Sequence, residues 1–221
     1  MTPLSDRLLS PTRFGGAVGV FAAACLVLLL AALPAAAQFT PQQQEALGKI
    51  NTYFDGIRQM QGEFIQFGPN GEQSEGVFFI ERPGKIRFHY KAPVKMDVIA
   101  DGSQVAVQDR SMMTQDLYPL SKTPLRYLLS DRIDLTSANI VRQVIEEPDL
   151  ITLVLVQESA FGDGKLRLIF DAKTYELKQW VVTDPQGLDT SVAIYNVETG
   201  KKADPEYFKI DYYRFRTGTN K

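Results

Sequence analysis

Residues 76–90 read GVFFIERPGKIRFHY, and this segment shows how the chain is built. In residues 85–90, apolar or aromatic side chains alternate with basic ones, which is typical of a strand with one buried face. Residues 77–80 are apolar on both faces, and Pro83-Gly84 is a turn signal between the two runs. The segment therefore predicts two neighbouring strands that are joined by a tight turn.

The same pattern of short runs and turn signals continues along most of the chain. Turn signals include Pro69-Asn70-Gly71, Asp101-Gly102 and Asp184-Pro185-Gln186-Gly187. The runs lie near 63–67, 74–82, 85–90, 95–100, 104–109, 113–118, 140–147, 150–157, 164–171, 176–183, 189–197 and 207–215. Evenly spaced short strands with tight turns predict about eleven antiparallel strands in one domain, curled into a barrel or a sandwich.

Two helices interrupt this series of strands. Thr40 and Pro41 are typical of a helix start, and apolar residues at three- and four-residue spacing follow. With Gly62 as a stop signal, we expect the first helix over residues 41–60. Thr123-Pro124 repeats the start signal, so we expect a short helix over residues 124–131. Amphipathic helices are the natural cover for one face of a curved sheet.

The amino terminus is typical of a secretory signal peptide. Two arginines precede an apolar run at residues 17–33, and Ala35-Ala36-Ala37 offers small residues for cleavage. We expect residues 1–37 to be removed, leaving a single domain over residues 38–221. That domain carries 22 Lys and Arg (24 − 2) and 25 Asp and Glu (26 − 1), a net charge of −3, which excludes a basic footprint for nucleic acid.

The single cysteine, Cys25, lies inside the predicted signal peptide. The mature chain is therefore expected to have no cysteine, which excludes thiol nucleophiles, disulfides and cysteine-based metal sites. A lipid anchor at Cys25 is disfavoured, because a lipidation cysteine follows the apolar region instead of lying within it. We expect a soluble protein in the periplasm of a Gram-negative bacterium, since small extracellular domains of eukaryotes are often disulfide-rich.

Catalysis has little support in the sequence. His89, the only histidine, shares the charged face of its strand with Lys85 and Arg87, where a lone histidine is usually structural. Common hydrolase, phosphate-binding and dinucleotide-binding motifs are absent from the sequence. We therefore expect neither an enzyme nor a bound metal or cofactor, although an enzyme that uses Asp or Glu needs no motif and stays an alternative.

The apolar strands have two interpretations. Strands that are apolar on both faces, such as residues 77–80 and 151–156, fit a filled sandwich core. They also fit a barrel that is too wide for its own side chains and encloses an apolar cavity. Arg82 lies on the same strand face as Phe78 and Ile80, so its guanidinium must reach water or bond to carbonyl oxygens of a covering helix.

The segments 62–66 and 76–90 together resemble the LolA family of outer-membrane lipoprotein carrier proteins. Pro119-Leu120, Thr123-Pro124-Leu125 and residues 184–187 follow in the order and spacing of that family, and the resemblance covers roughly residues 45–215. The Arg82-Pro83-Gly84 strand end is its most specific part. One departure is Phe88, which stands where the family often has tryptophan.

The resemblance implies an incomplete antiparallel β-barrel whose hydrophobic cavity is covered by an α-helical lid. Such carriers accept acylated lipoproteins from an ATP-driven transporter of the inner membrane and deliver them to an outer-membrane receptor. Arg82 matches the family arginine that holds the lid closed. The receptor of that pathway is lipid-anchored, so the lack of a usable lipidation cysteine favours the carrier.

Our leading hypothesis is a monomeric lipoprotein carrier without a cofactor. Its expected acyl-binding residues are, on the strands, Phe78, Ile80, Ile86 and Phe88 and, on the lid, Leu47, Ile50, Phe54 and Leu128. A second hypothesis is a periplasmic regulatory domain that uses the same fold to sense lipids or lipoproteins. A third is a lipid-modifying enzyme, which would need a carboxylate with a strongly shifted pKa beside the cavity.

Overall fold

The computed structural model describes residues 39–136, 140–157, 164–213 and 216–217. The predicted signal peptide lies outside these residues, so its removal and the exact start of the mature domain stay predictions. Among the described residues, no helix is long and apolar enough to cross a membrane.

The first helix, α1, spans Pro41–Gly56 and begins as predicted. Thr40 caps it, because its side chain accepts a hydrogen bond from the Gln43 amide while the Gln43 side chain accepts one from the Thr40 amide. The predicted end was wrong: the chain is already extended at Ile57, and Gly62 lies inside the first strand. The predicted apolar stripe included Ile57 and Met60, which keep the helical spacing of Leu47, Ile50 and Phe54 but lie after the end of the helix.

Within the described part of the chain, twelve strands follow α1 and form one sheet. In chain order they are β1 (Gln59–Phe67), β2 (Gln73–Glu81), β3 (Lys85–Tyr90), β4 (Met96–Asp101), β5 (Gln104–Asp109), β6 (Thr114–Pro119), β7 (Val141–Glu146), β8 (Leu150–Gln157), β9 (Gly164–Asp171), β10 (Leu177–Thr183), β11 (Asp189–Thr199) and β12 (Arg216–Thr217).

The order across the sheet is β12-β6-β5-β4-β3-β2-β1-β11-β10-β9-β8-β7. Eleven strands pair antiparallel, and only the two-residue β12 pairs parallel, with β6. The pairing of β1 with β11 joins two meanders, while β7 and β6 are not paired with each other, so the sheet stays open. The predicted fold class, an incomplete antiparallel barrel with two helices, is therefore confirmed.

Two local predictions need correction. The second helix, α2, is the single turn Leu125–Leu128, preceded by a 3-10 turn at Leu120–Lys122, and it is shorter than predicted. Thr123 does not cap α2, because its hydroxyl donates back to the Leu120 carbonyl. The strand expected near 207–215 is wrong over residues 207–213, since Pro205–Phe208 forms a 3-10 helix whose first amide is capped by Asp204. The last two residues of that expected strand, 214–215, lie outside the described residues.

We call the face of the sheet that packs against α1 the inner face, and we call α1 and α2 together the lid. The main apolar core lies between the lid and the inner face, and every strand from β1 to β11 except β6 contributes to it. A smaller cluster of Ile99, Ala106 and Ile210 lies on the opposite, outer face, where the segment after the 3-10 helix at Pro205–Phe208 packs.

Candidate lipid-binding site

The four strand residues predicted to bind acyl chains lie together on the inner face. Phe78 is paired across the sheet with Phe88, and Ile80 with Ile86, because β2 and β3 run antiparallel with an even register. Each of the four side chains is at most 6% exposed. The Phe88 ring also contacts Phe64 edge-on, with 4.8 Å between the ring centroids. Strand parity therefore placed these side chains correctly, whereas their role in binding stays a prediction.

The four predicted lid residues face these strands. Leu47, Ile50 and Phe54 follow one another at three- and four-residue spacing, so they share the face of α1 that points to the sheet. Together with Leu128 from α2 they are at most 3% exposed. The Phe54 ring meets Phe170 of β9 edge-on at 5.7 Å, which anchors the carboxyl-terminal half of α1 on the sheet.

The eight predicted acyl-binding side chains are buried between the lid and the inner face, and they belong to one apolar cluster. None of them lines the four pockets that open elsewhere among the described residues. The lid thus covers the apolar surface that the four strand residues form on the inner face.

Arg82, the predicted latch, lies at the end of β2 and is 6% exposed. Its Nη2 donates to the Asp131 carbonyl at 3.2 Å, and its guanidinium carbon lies 5.4 Å from the centroid of the Phe54 ring. Nε and Nη1 are buried and have no hydrogen-bond partner among the described residues. Burial, followed by repulsion from Arg58, lowers the pKa of Arg82. Arg82 thus contacts α1 through Phe54 and the loop after α2 through Asp131.

The loop after α2 connects the parts of the lid to the sheet. Beside Arg82, the Gly84 amide donates to the Leu129 carbonyl at 2.8 Å. On the other side, the Leu135 amide donates to the Asn51 side chain of α1 at 3.1 Å. Arg58 also binds Asp131, through both its carbonyl and its carboxylate. A few polar contacts on one loop therefore join α1, α2 and the end of β2.

The outer face carries a charged cluster that the sequence did not reveal. Asp97 is 1% exposed, and its carboxylate lies 2.6 Å from Nδ1 of His89, 3.3 Å from Nη2 of Arg87 and 3.1 Å from Nε of Arg110. His89 was correctly assigned to the charged face, but its pairing with Asp97 depends on the register of β3 against β4. Arg87 also donates to the Tyr207 carbonyl at 3.4 Å, so the cluster helps to hold the carboxyl-terminal segment.

Among the described residues, no group of three or more His, Cys, Asp and Glu side chains is arranged to hold a metal ion. Two described tyrosines have a raised pKa. Burial raises the pKa of Tyr53 and of Tyr90 to about 12. The Tyr90 hydroxyl donates to the Gln66 side chain at 2.6 Å, so this group serves packing at the inner face.

Comparison with known proteins places the chain in a family. A family model described as outer membrane lipoprotein carrier protein LolA matches residues 55–211. An outer-membrane lipoprotein carrier protein from Methylococcus capsulatus is 26% identical over 84% of this chain and 90% of its own length. Another outer-membrane lipoprotein carrier protein, from Halorhodospira halophila, is 26% identical over 76% of this chain and 83% of its own length.

Among solved structures, a LolA superfamily protein from Nitrosomonas europaea aligns with a TM-score of 0.39 and 12% identity, covering 76% of this chain and 98% of that one. The family model spans most of the described residues, including strands β1 to β11 and the loop after α2. The chain therefore belongs to the LolA family of outer membrane lipoprotein carrier proteins.

Proposed function

We propose that this protein carries acylated lipoproteins through the periplasm and binds their acyl chains between the lid and the inner face of the sheet. The observation that carries this proposal is the mainly apolar contact between α1 and the strands. Polar bonds of the loop after α2, made by Asp131 and Leu135, lie at its edge. Residues 1–37 act as a cleaved signal peptide, the mature domain is a monomer, and it performs no catalysis.

The physical need for such a carrier follows from the hydrophobic effect. Burying each methylene of an acyl chain contributes about 0.8 kcal/mol, so three chains of about fifteen methylenes amount to roughly 35 kcal/mol. A lipoprotein cannot leave a membrane for water at that cost. A carrier must replace the membrane with apolar surface and must hide that surface when it is empty, because exposed apolar patches associate with other proteins and membranes.

In the proposed cycle an ATP-driven transporter of the inner membrane loads the carrier, and a receptor at the outer membrane unloads it. Loading lifts the lid, so that Phe78, Ile80, Ile86 and Phe88 exchange lid side chains for acyl chains. Leu47, Ile50, Phe54 and Leu128 then line the opposite wall of the cavity. Arg82 acts as the latch: its bond to the Asp131 carbonyl joins the end of β2 to the loop after α2, and movement of that loop would break it.

The test is a transfer assay with purified protein. Wild-type protein is added to spheroplasts, the released lipoprotein is identified in complex with it, and the complex is then mixed with outer membranes. We expect Arg82→Leu to form the complex but to deliver its cargo more slowly. A hydrogen bond to a charged group is worth about 1.5–3 kcal/mol, so the closed state should lose roughly 10- to 100-fold in population.

Arg167→Leu is the matched control, because Arg167 pairs with Asp189 at a half-exposed site outside the lid. This variant should release and deliver lipoprotein like the wild type. A carrier that releases no lipoprotein from spheroplasts would contradict the proposed function. Normal delivery by Arg82→Leu would contradict the latch role alone.

A further inference from the structure

The two ends of α1 are attached to the sheet in different ways. At the carboxyl-terminal end only Ile57 and Arg58 separate α1 from β1, so this end is tied to the sheet by the chain itself. Among the described residues no strand precedes α1, so the amino-terminal end has no such covalent link to the sheet. An outward movement that keeps the helix intact therefore turns about Ile57 and Arg58 and separates the amino-terminal end from the sheet.

Gln43 joins the amino-terminal end of α1 to the edge of the sheet. Its Nε2 donates to the Val144 carbonyl at 3.1 Å, and Val144 belongs to β7, which lies at the edge of the sheet beside β8. Edge strands leave backbone groups without a strand partner, which makes them open to side-chain donors. Within the described part of the chain, no other side chain in the first turn of α1, residues 41–44, hydrogen-bonds to the sheet.

The same side chain takes part in the capping box of α1. Oε1 of Gln43 accepts from the Thr40 amide at 3.0 Å, and the Gln43 amide donates to the Thr40 hydroxyl at 3.2 Å. Both bonds lie within the helix terminus, so they are kept when α1 moves as a rigid helix. The bond to Val144 crosses to the sheet and is lost. Glutamine serves both roles because its side chain combines an acceptor with an N–H donor, whereas glutamate would keep only the acceptor.

The surroundings of Gln43 add little polar attraction between α1 and β7. A groove of about 380 Å³ lies between the amino-terminal half of α1 and the turn that joins β7 to β8. Glu45 lines the groove on the side of α1, and Glu146 and Glu147 line it on the side of the turn. Lys49 already pairs with Glu45 at 2.8 Å. Carboxylates on both walls repel one another, so the charges in the groove oppose closure of this end and the Gln43 bond favours it.

We propose that Gln43 is a second latch of the lid, which holds the amino-terminal end of α1 on β7. The inference rests on the proposed function and adds the direction in which the lid opens. Arg82 contacts the carboxyl-terminal half of α1, close to the connection to β1. Gln43 holds the opposite end, which moves farthest when α1 turns about Ile57 and Arg58. Gln43 is therefore a positioning residue, because it acts on the cargo site through the position of α1.

The experiment measures the rate at which a thiol reagent labels a buried cysteine in the lipid-free mature protein. The only cysteine of the sequence is Cys25, in the predicted signal peptide, so an introduced cysteine is labelled alone. Val144→Cys reports on the amino-terminal end of α1, and Met60→Cys, near the start of β1, reports on the other end; both native side chains are at most 6% exposed. Loss of a neutral hydrogen bond changes a population about two- to tenfold, so Gln43→Glu should speed the labelling of Val144→Cys by that factor. The labelling of Met60→Cys should not change.

Gln43→Glu separates the latch from the cap. Glutamate at this position keeps the capping box and suits the positive end of the helix, so a role in capping alone predicts no faster labelling. Thr40→Ala is the matched control, since it removes one bond of the cap, leaves the bond from Gln43 to Val144 in place and should not change the labelling. Unchanged labelling with Gln43→Glu, or equal acceleration with Thr40→Ala or at Met60→Cys, would overturn the proposal. The spheroplast assay is read separately, so that faster labelling without lipoprotein release would refute the carrier function and leave the latch standing.

Discussion

Replacing Phe54 by alanine should open the lid without unfolding the sheet. The Phe54 side chain is 2% exposed, meets Phe170 edge-on at 5.7 Å and lies beneath the guanidinium of Arg82. Truncation of a buried phenylalanine costs about 3–5 kcal/mol. If this cost falls on the contact between α1 and the sheet, the open fraction should rise by about 100- to 4,000-fold, because each 1.4 kcal/mol is a factor of ten.

Hydrogen exchange measures this directly. The amides of α1 should exchange faster in Phe54→Ala by the same factor, while amides in the middle of β9 should keep their protection, since local opening does not require global unfolding. Phe79→Ala is the control: Phe79 lies on the outer face against Tyr207, at 4.8 Å between ring centroids, and should not change α1. Equal acceleration in α1 and β9 would show that the lid and the sheet open only together, and the mechanism of loading by lid movement would then be refuted.

Three further predictions concern stability. Thr40→Ala removes the capping box of α1 and should lower the free energy of unfolding by about 1 kcal/mol in urea denaturation, whereas Thr40→Ser should retain most of it. Asp97→Asn leaves Arg87 and Arg110 without their shared buried carboxylate, and we expect a loss of about 3 kcal/mol and earlier proteolysis of the carboxyl-terminal segment; a change below 1 kcal/mol would contradict this account. Burial raises the pKa of Tyr90 to about 12, from an unfolded value of about 10. The contribution of Tyr90 to stability is therefore complete below pH 10 and is lost as the pH rises towards 12. Ultraviolet titration of the folded proteins should show one tyrosine fewer ionising near pH 12 in Tyr90→Phe than in the wild type.

Local patterns predicted most of the strands and the inner face. Alternation in residues 85–90 placed Ile86 and Phe88 inward, and the spacing in α1 identified its buried side chains, because both periodicities are properties of the backbone alone. The ion pairs of Asp97 could not be found in this way. They depend on which residue of β4 lies opposite His89, and that register is set by the turn between the strands and by packing on the other face.

The carboxyl-terminal segment shows a second limit of sequence patterns. Residues 207–215 contain five aromatic residues and one isoleucine, which favours a strand by composition. Pro205 and the Asp204 cap instead start a 3-10 helix, which places Phe208 and then Ile210 against the outer face. Tertiary packing of Phe208 and Ile210 thus overrides the strand propensity of residues 207–213.

The buried lid side chains bear on the energetics of the proposed cycle. The four of them, Leu47, Ile50, Phe54 and Leu128, each contribute about 1.5–3 kcal/mol by burial, or roughly 6–12 kcal/mol together. Acyl chains that enter must break this contact, but the lid side chains regain most of this burial because they then line the opposite wall of the cavity. The polar contacts of the lid are not regained: the Arg82 hydrogen bond alone is worth about 1.5–3 kcal/mol. Loading from a membrane is then uphill by the part that is not regained, and delivery to a second membrane is downhill by the same amount.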